Sequence, residues 1–283
     1  VLAVQLPHAA LQAAQGKASA DEAFVRKFQP QYQSTIDFVS RKIGRINQTI
    51  STKDAYFGPS AFIDLIHQLQ LDISGADISF CAPLSFNAEI REGDIYMSDM
   101  FNLYKYENML YVMQLSGQEI KDFLEMSYAI WTNQMKSADD HILLLNEEDK
   151  GFGRFKNPSF NFDSAAGIIY TVDVTKPQGE KIRIESMADG TPFSLQKIYK
   201  VAVNSYRGNG GGDLLTKGAG IPKSELSKRI VFSTDKDLRY YLMKRIEEVK
   251  TLDPKPLNQW RFVPEEWTRP AIERDYQLLF GNK

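Results

Sequence analysis

The sequence predicts an α+β fold preceded by a long helix, and three observations carry this. Residues 109–115 are apolar except for Gln114 and read as a strand buried on both faces, while 168–174 and 181–185 alternate apolar and polar, which are the two common strand patterns. Ser116-Gly-Gln-Glu119 follows the first run directly and is a capping box: the serine oxygen takes a free amide of the new helix and the glutamate reaches back. Near the start, Phe24, Phe28, Tyr32, Ile36, Val39 and Ile43 recur every three or four residues as one helical stripe.

In chain order, residues 1–18 are rich in alanine and glutamine, and 1–4 suit a strand. Ser19-Ala-Asp-Glu22 is a capping box that opens the long helix, which Pro30 should kink or divide. Gly58-Pro59-Ser60 opens a second helix with Phe62, Leu65, Ile66 and Leu69 on its buried face and His67 beside them as a core histidine. Residues 77–82 form a short buried strand ended by Pro83, with Cys81 as a small core residue. A turn is expected at 91–95, a helical turn at 97–103, then a polar link, Lys105-Tyr-Glu-Asn108, into the strand at 109–115. The helix begun at Ser116 turns Ile120, Phe123, Leu124, Tyr128 and Trp131 inward. Residues 133–165, with Asp139-Asp140 and Glu147-Glu148-Asp149, form a polar surface excursion without the spacing of a calcium loop. Strands at 168–174 and 181–185 lead through a turn at Gly190 to a strand at 199–203. Residues 204–213 then hold four glycines within five positions, flanked by Tyr206, Arg207 and Asp213. Such a loop reaches backbone conformations closed to other residues and can approach a ligand closely. Thr234-Asp-Lys-Asp237 caps a helix bearing Leu238, Tyr241, Leu242 and Ile246. The tail from Pro254 carries Trp260, Phe262 and Trp267, which should dock on the body.

Composition narrows the chemistry. The 283 residues are 43% hydrophobic and 25% charged, ordinary globular usage with room for one large domain or two small ones. A net charge of −2 and a pI near 6.0 argue against a nucleic-acid binder, and no run is long and apolar enough for a transmembrane helix. One cysteine excludes an internal disulfide framework and a thiolate zinc site, and three scattered histidines argue against a histidine-rich metal centre. The chain starts at Val1 without the basic and apolar regions of a signal peptide, so a piece of something longer is expected.

Read together, several ordered segments resemble the C-terminal domain of the 5′-nucleotidase family, which includes UDP-sugar hydrolases and 2′,3′-cyclic phosphodiesterases. They are the helix at Gly58, the span from Ile78 to Ile95, Tyr106-Glu-Asn108 leading into residues 109–115, Leu115-Ser-Gly-Gln-Glu-Ile120, and residues 204–213. The resemblance covers roughly residues 40 to 250 and implies a four-layer α/β/β/α domain, residues 43–283, behind an N-terminal segment and connector helix at 1–42. It implies that this domain binds a nucleotide or nucleoside. Catalysis then belongs to a metallophosphoesterase domain with a divalent metal pair, supplied in the same precursor or by a partner chain. It also implies a periplasmic or extracellular location.

The family's base-sandwiching aromatics fall on Tyr106 and Tyr206, and its ribose-binding acid on Asp213. Lys53 stands where a phosphate-binding arginine is expected, and Arg207 and Asn209 complete the substrate-binding set. No catalytic or metal-ligating residue is assigned in this chain. The family's Asn-x-Gly-Gly-x-Arg run departs here to Ala82-Pro-Leu-Ser-Phe-Asn87, removing an amide and a bidentate cation for which Arg207 or Arg91 are the candidate replacements. Two alternatives stay open: a diverged site taking another ligand such as a sugar nucleotide, or none, and a protein-interaction module built on the long helix and the aromatic tail.

Overall fold

The computed structural model describes residues 21–146, 148 and 154–281. The expected strand at 1–4, Ser19 of the first capping box, and Glu147 and Asp149 lie outside them. The chain divides into two compact units between Arg41 and Lys42.

Among the described residues the first unit holds helix α1 (Glu22–Val39), capped by Asp21, whose carboxylate accepts from the amides of Ala23 and Phe24. α1 is not divided at Pro30. A proline removes one hydrogen bond, and the turns on either side keep their own. None of its residues is buried, and Phe24, Phe28, Tyr32 and Ile36 are exposed. Ile43, which continues the stripe in sequence, instead lies buried in a strand of the second unit.

That unit opens with β1 (Lys42–Ile46), β2 (Ile50–Ser51) and α2 (Ala61–Ser74), followed by β3 (Ile78–Cys81), β4 (Glu89–Ile90) and β5 (Gly93–Tyr96). The turn expected at 91–95 thus becomes strand in its second half, where β5 pairs antiparallel with β1. Next come α3 (Asp99–Leu103), β6 (Met109–Ser116) and α4 (Gly117–Trp131), and after a long connection β7 (Ser164–Ala166), β8 (Ile168–Asp173), β9 (Ile182–Met187) and β10 (Ile198–Asn204). Short helices α5 (Ser205–Gly208) and α6 (Leu226–Arg229) precede β11 (Ile230–Asp237) and α7 (Leu238–Val249). The tail forms β12 (Thr251–Leu252), β13 (Trp260–Val263) and α8 (Glu265–Phe280).

The main sheet runs β11-β6-β10-β3-β7, with β10 antiparallel to β6 and parallel to β3. Alternation along the strands feeds two cores. On one face Ala202 and Cys81 meet Phe62, Ile63 and Ile66 of α2 and Leu238, Leu242 and Ile246 of α7. On the other, Val201, Val203 and Met113 meet Ile120, Phe123 and Tyr128 of α4, and that core extends into the smaller sheet β13-β8-β9. The mixed helix-and-sheet class expected from sequence is the observed one.

Local signals landed closely. Both bonds of the Ser116 capping box form, Glu119 N to Ser116 Oγ at 3.2 Å and Ser116 N to Glu119 Oε2 at 2.7 Å. The five side chains expected inward on α4 are fully buried. His67 is a satisfied core residue, bonded to Ser79 Oγ at 2.9 Å and Ser164 Oγ at 3.1 Å. Burial pushes the Cys81 thiol up and leaves it unreactive.

The excursion at 133–165 is more than surface. It buries Met135, Ile142, Leu143, Phe155 and Phe162, and the buried carboxylate of Asp275 on α8 accepts from the amides of Ile142 and Leu143. An irregular segment can be buried when its backbone donors find such partners. The tail docks as expected: β13 pairs parallel with β8, and Trp260 and Phe262 enter the larger core.

Candidate functional site

Two segments, one leaving β10 and one entering its neighbour β6, meet at one cavity. The first lies beyond β10. The Asn204 side chain caps α5 by accepting from Arg207 N at 2.8 Å. Successive residues of a helical turn are rotated by about 100°. Tyr206 therefore faces outward, 41% exposed, while Arg207 turns inward and is 1% exposed. The second segment precedes β6. Arg239 of α7 donates to the carbonyls of Tyr104 and Lys105, each at 3.0 Å, and its guanidinium lies 4.4 Å from the Phe101 ring centroid. Leu238 N donates to Asn108 O at 2.9 Å. So held, Tyr106 is 40% exposed. Ser205 joins the two segments: Met109 N donates to its Oγ at 3.2 Å, and that hydroxyl reaches Asn108 Oδ1 at 3.5 Å.

The cavity measures about 400 Å³ and is lined by Leu84, Tyr106, Glu107, Asn108, Phe160, Asn204 and Tyr206. Its walls are mostly apolar and aromatic, with two carboxamides and one carboxylate. The Phe160 ring meets Tyr206 edge-on, with centroids 6.3 Å apart. Leu84 belongs to the run in which the resemblance expects glycines, and it contributes an apolar wall. The Tyr104 hydroxyl is buried close to Asn108 and Asn204, and burial raises its pKa.

Behind Tyr206 stands a buried ion pair. The Arg207 guanidinium binds Asp163, donates to Asn161 Oδ1 and Phe160 O at 3.2 Å each, and also reaches Gly211 O. Burial raises the Asp163 carboxyl above its ordinary range, and Arg207 opposes that shift. The guanidinium carbon also lies 5.4 Å from the Tyr206 ring centroid. The glycines make this packing possible. A Cβ on Gly211 would overlap the Tyr206 ring, and one on Gly212, at φ +70°, would overlap Arg207 and Asn161. The expected open glycine loop is a chain of tight turns: α5, a 3₁₀ turn at Gly211–Asp213, and a wider turn at Leu214–Gly218.

Of the six residues proposed from sequence, the structure brings Tyr106 and Tyr206 to the same cavity. Arg207 backs the wall without lining it. Asn209 is exposed and its amide donates to Ser205 O at 3.0 Å. Asp213 has φ +62° and binds Lys217 Nζ at 2.7 Å, a hydrogen bond that holds its carboxyl below the usual range. Lys53 Nζ lies 5.6 Å from the Phe280 ring centroid. These three are not among the lining residues. Ala82 is buried and Asn87 exposed. Sequence reasoning missed Leu84, Glu107, Asn108, Phe160 and Asn204 as lining residues. The available signal for two of them, Glu107 and Asn108, was their place beside Tyr106 in its motif. Among the described residues no group of three or more His, Cys, Asp or Glu could hold a metal ion.

The family described as "5′-nucleotidase, C-terminal domain" matches residues 42–217. The trifunctional nucleotide phosphoesterase protein YfkN of Bacillus subtilis is 28% identical over 285 residues, covering 90% of this chain and 18% of that protein. The 2′,3′-cyclic-nucleotide 2′-phosphodiesterase/3′-nucleotidase of Haemophilus influenzae is 24% identical over 281 residues, covering 86% of this chain and 40% of its own length. The chain therefore spans less than half the length of either relative. Among solved structures, a 5′-nucleotidase precursor from Thermus thermophilus shares the fold with a TM-score of 0.62 at 19% identity, over 86% of this chain and 44% of that one.

Proposed function

Because the chain belongs to the family of 5′-nucleotidase C-terminal domains, we propose that its cavity binds the base of a nucleotide or nucleoside between Tyr106 and Tyr206. The observation that carries this reading is the convergence of the two tyrosines, distant in sequence, on one cavity. Its size falls within the usual range for small-molecule sites. A base presents a flat π-face, and stacking on an aromatic side chain contributes about 1–3 kcal/mol per base. The tyrosines and Phe160 supply such faces, and the carboxamides of Asn108 and Asn204 can meet a base edge.

The chain's own part is to bind and orient. Arg207 is committed to Asp163 and its neighbours, so we assign it to holding Tyr206 in place. Asp213 remains the candidate acceptor for ribose hydroxyls, exchanging Lys217 for the sugar. Asn209 and Lys53 remain candidates for the phosphate end of a ligand that projects from the cavity. Hydrolysis of a nucleotide phosphoester, the substrate class in the relatives' names, is assigned to a metallophosphoesterase domain outside this chain. Metal ions there would supply an activated water and stabilise charge on phosphorus. The resemblance also points to an exported protein, which cell fractionation would test.

Calorimetric titration of the chain with adenosine and AMP tests the reading. Tyr206→Ala should weaken binding by about 5- to 150-fold, the equivalent of one lost stacking contact. Absence of heat from either ligand up to millimolar concentration would sink it.

A further inference from the structure

Among the described residues lining the cavity, Glu107 is the only carboxylate. Resting on the base-binding reading above, we infer that Glu107 makes this site select adenine and cytosine over hypoxanthine and uracil, which carry a carbonyl where the first two carry an exocyclic amino group.

The argument is a count of donors and acceptors. Tyr106, Glu107 and Asn108 are consecutive and all line the cavity, so the carboxylate and a carboxamide share the cavity with the stacking ring. Glu107 is 60% exposed, and its Oε1 lies 3.9 Å from Nη1 of Arg239. Arg239 is fixed by the Tyr104 and Lys105 carbonyls and by the Phe101 ring. That long ion pair steadies the carboxylate and leaves it capacity to accept. An ionised carboxylate can only accept hydrogen bonds. The Asn204 oxygen already accepts from Arg207 N, which fixes the side chain and leaves its NH₂ as a donor for a ligand beside one remaining lone pair on the oxygen. Asn108 is placed similarly, with its oxygen facing the Ser205 hydroxyl at 3.5 Å.

The cavity thus offers an acceptor-only group beside amide donors. Adenine presents N6–H₂ next to the N1 and N7 acceptors, and cytosine presents N4–H₂ next to N3, which complements that pattern. Hypoxanthine and uracil put a carbonyl oxygen where the amino group would be, facing a carboxylate that has no proton to give. A site built to pair with a donor rejects the analogue lacking it, because its own polar group is left unpaired.

The experiment compares two ligand pairs, adenosine with inosine and cytidine with uridine, by calorimetric titration of the chain, its Glu107→Gln variant and its Tyr206→Ala variant. Glu107 is exposed, so the glutamine variant should fold normally. The wild type should prefer the amino member of each pair on the order of 10-fold. Glu107→Gln, which can donate as well as accept, should bring both ratios near one. Equal binding within the wild-type pairs overturns the inference. So does an equal loss for adenosine and inosine in Glu107→Gln, which would mean that the carboxylate reads the sugar. In both cases binding lost in Tyr206→Ala leaves base stacking standing, whereas no binding of any nucleoside overturns both readings.

Discussion

Gly211 illustrates how single residues set this site. Its missing side chain is the space in which the Tyr206 ring lies. Gly211→Ala should push that ring outward, since Tyr206 is exposed on its other side. Adenosine affinity should fall on the order of 10-fold with the fold intact. Titration of the variant beside its far-ultraviolet circular dichroism checks this, and unchanged affinity would refute the packing argument. At this scale the sequence was partly legible. Tyr106 and Tyr206 could be chosen because each sits in an ordered motif at a strand end. The inward turn of Arg207 was not visible, because whether it or Tyr206 faces solvent depends on how Asn204 caps α5. Phe160 was hidden for another reason. Nothing local to residue 160 says that it will stand beside residue 206.

Among the elements, α2 shows what periodicity can and cannot tell. Its apolar stripe was readable, yet the buried face also carries Asp64, His67 and Gln70. Asp64 accepts from Leu257 N at 2.8 Å, and burial pushes its carboxyl up to about 6. Between its ordinary value of 3.8 and about 6, the folded chain keeps a proton that the unfolded chain has released. The stability it confers is therefore full below 3.8 and lost as pH rises through about 6. His67 works the other way. Burial lowers it from 6.5 to about 3, so stability is lost as pH falls below 6.5. The two oppose each other in mildly acidic solution. Asp64→Asn keeps the bond to Leu257 and removes the cost of a buried charge. It should stabilise the protein at pH 8 by on the order of 2–3 kcal/mol, with little gain at pH 4 and a steeper acid loss. Calorimetric unfolding at pH 4, 6 and 8 measures this, and no gain at pH 8 would count against it. α1 carries an equally clear stripe and buries none of it. Periodicity reports which face is apolar, while burial depends on what else is folded beside it.

At the scale of the whole molecule, the tail closes the larger core. Trp260 and Phe262 pack on Tyr128 and Trp131 of α4, and Asp275 holds the amides of the excursion that carries Phe160. A chain ending at residue 258 would lose both. Deleting a buried Trp or Phe side chain costs about 3–5 kcal/mol, and two such losses rival the whole stability of a typical domain. The truncated chain should lose its near-ultraviolet circular dichroism and sharp thermal unfolding, and with them nucleoside binding. Retention of a cooperative transition would show that the tail is dispensable. The order of residues was enough to read the mixed α and β class, the strand–cap–helix unit at 109–131, the docking of the tail aromatics and the family. These rest on interactions among near neighbours or on ordered motifs. Three outcomes emerged only on folding: the excursion is partly core, Arg207 is a buried brace, and Leu84, Glu107 and Phe160 share a cavity with the two tyrosines. The shared cavity depends on strand order in the main sheet, where β10 lies between β6 and β3. That order brings together segments far apart in the chain through packing energies that no local pattern encodes.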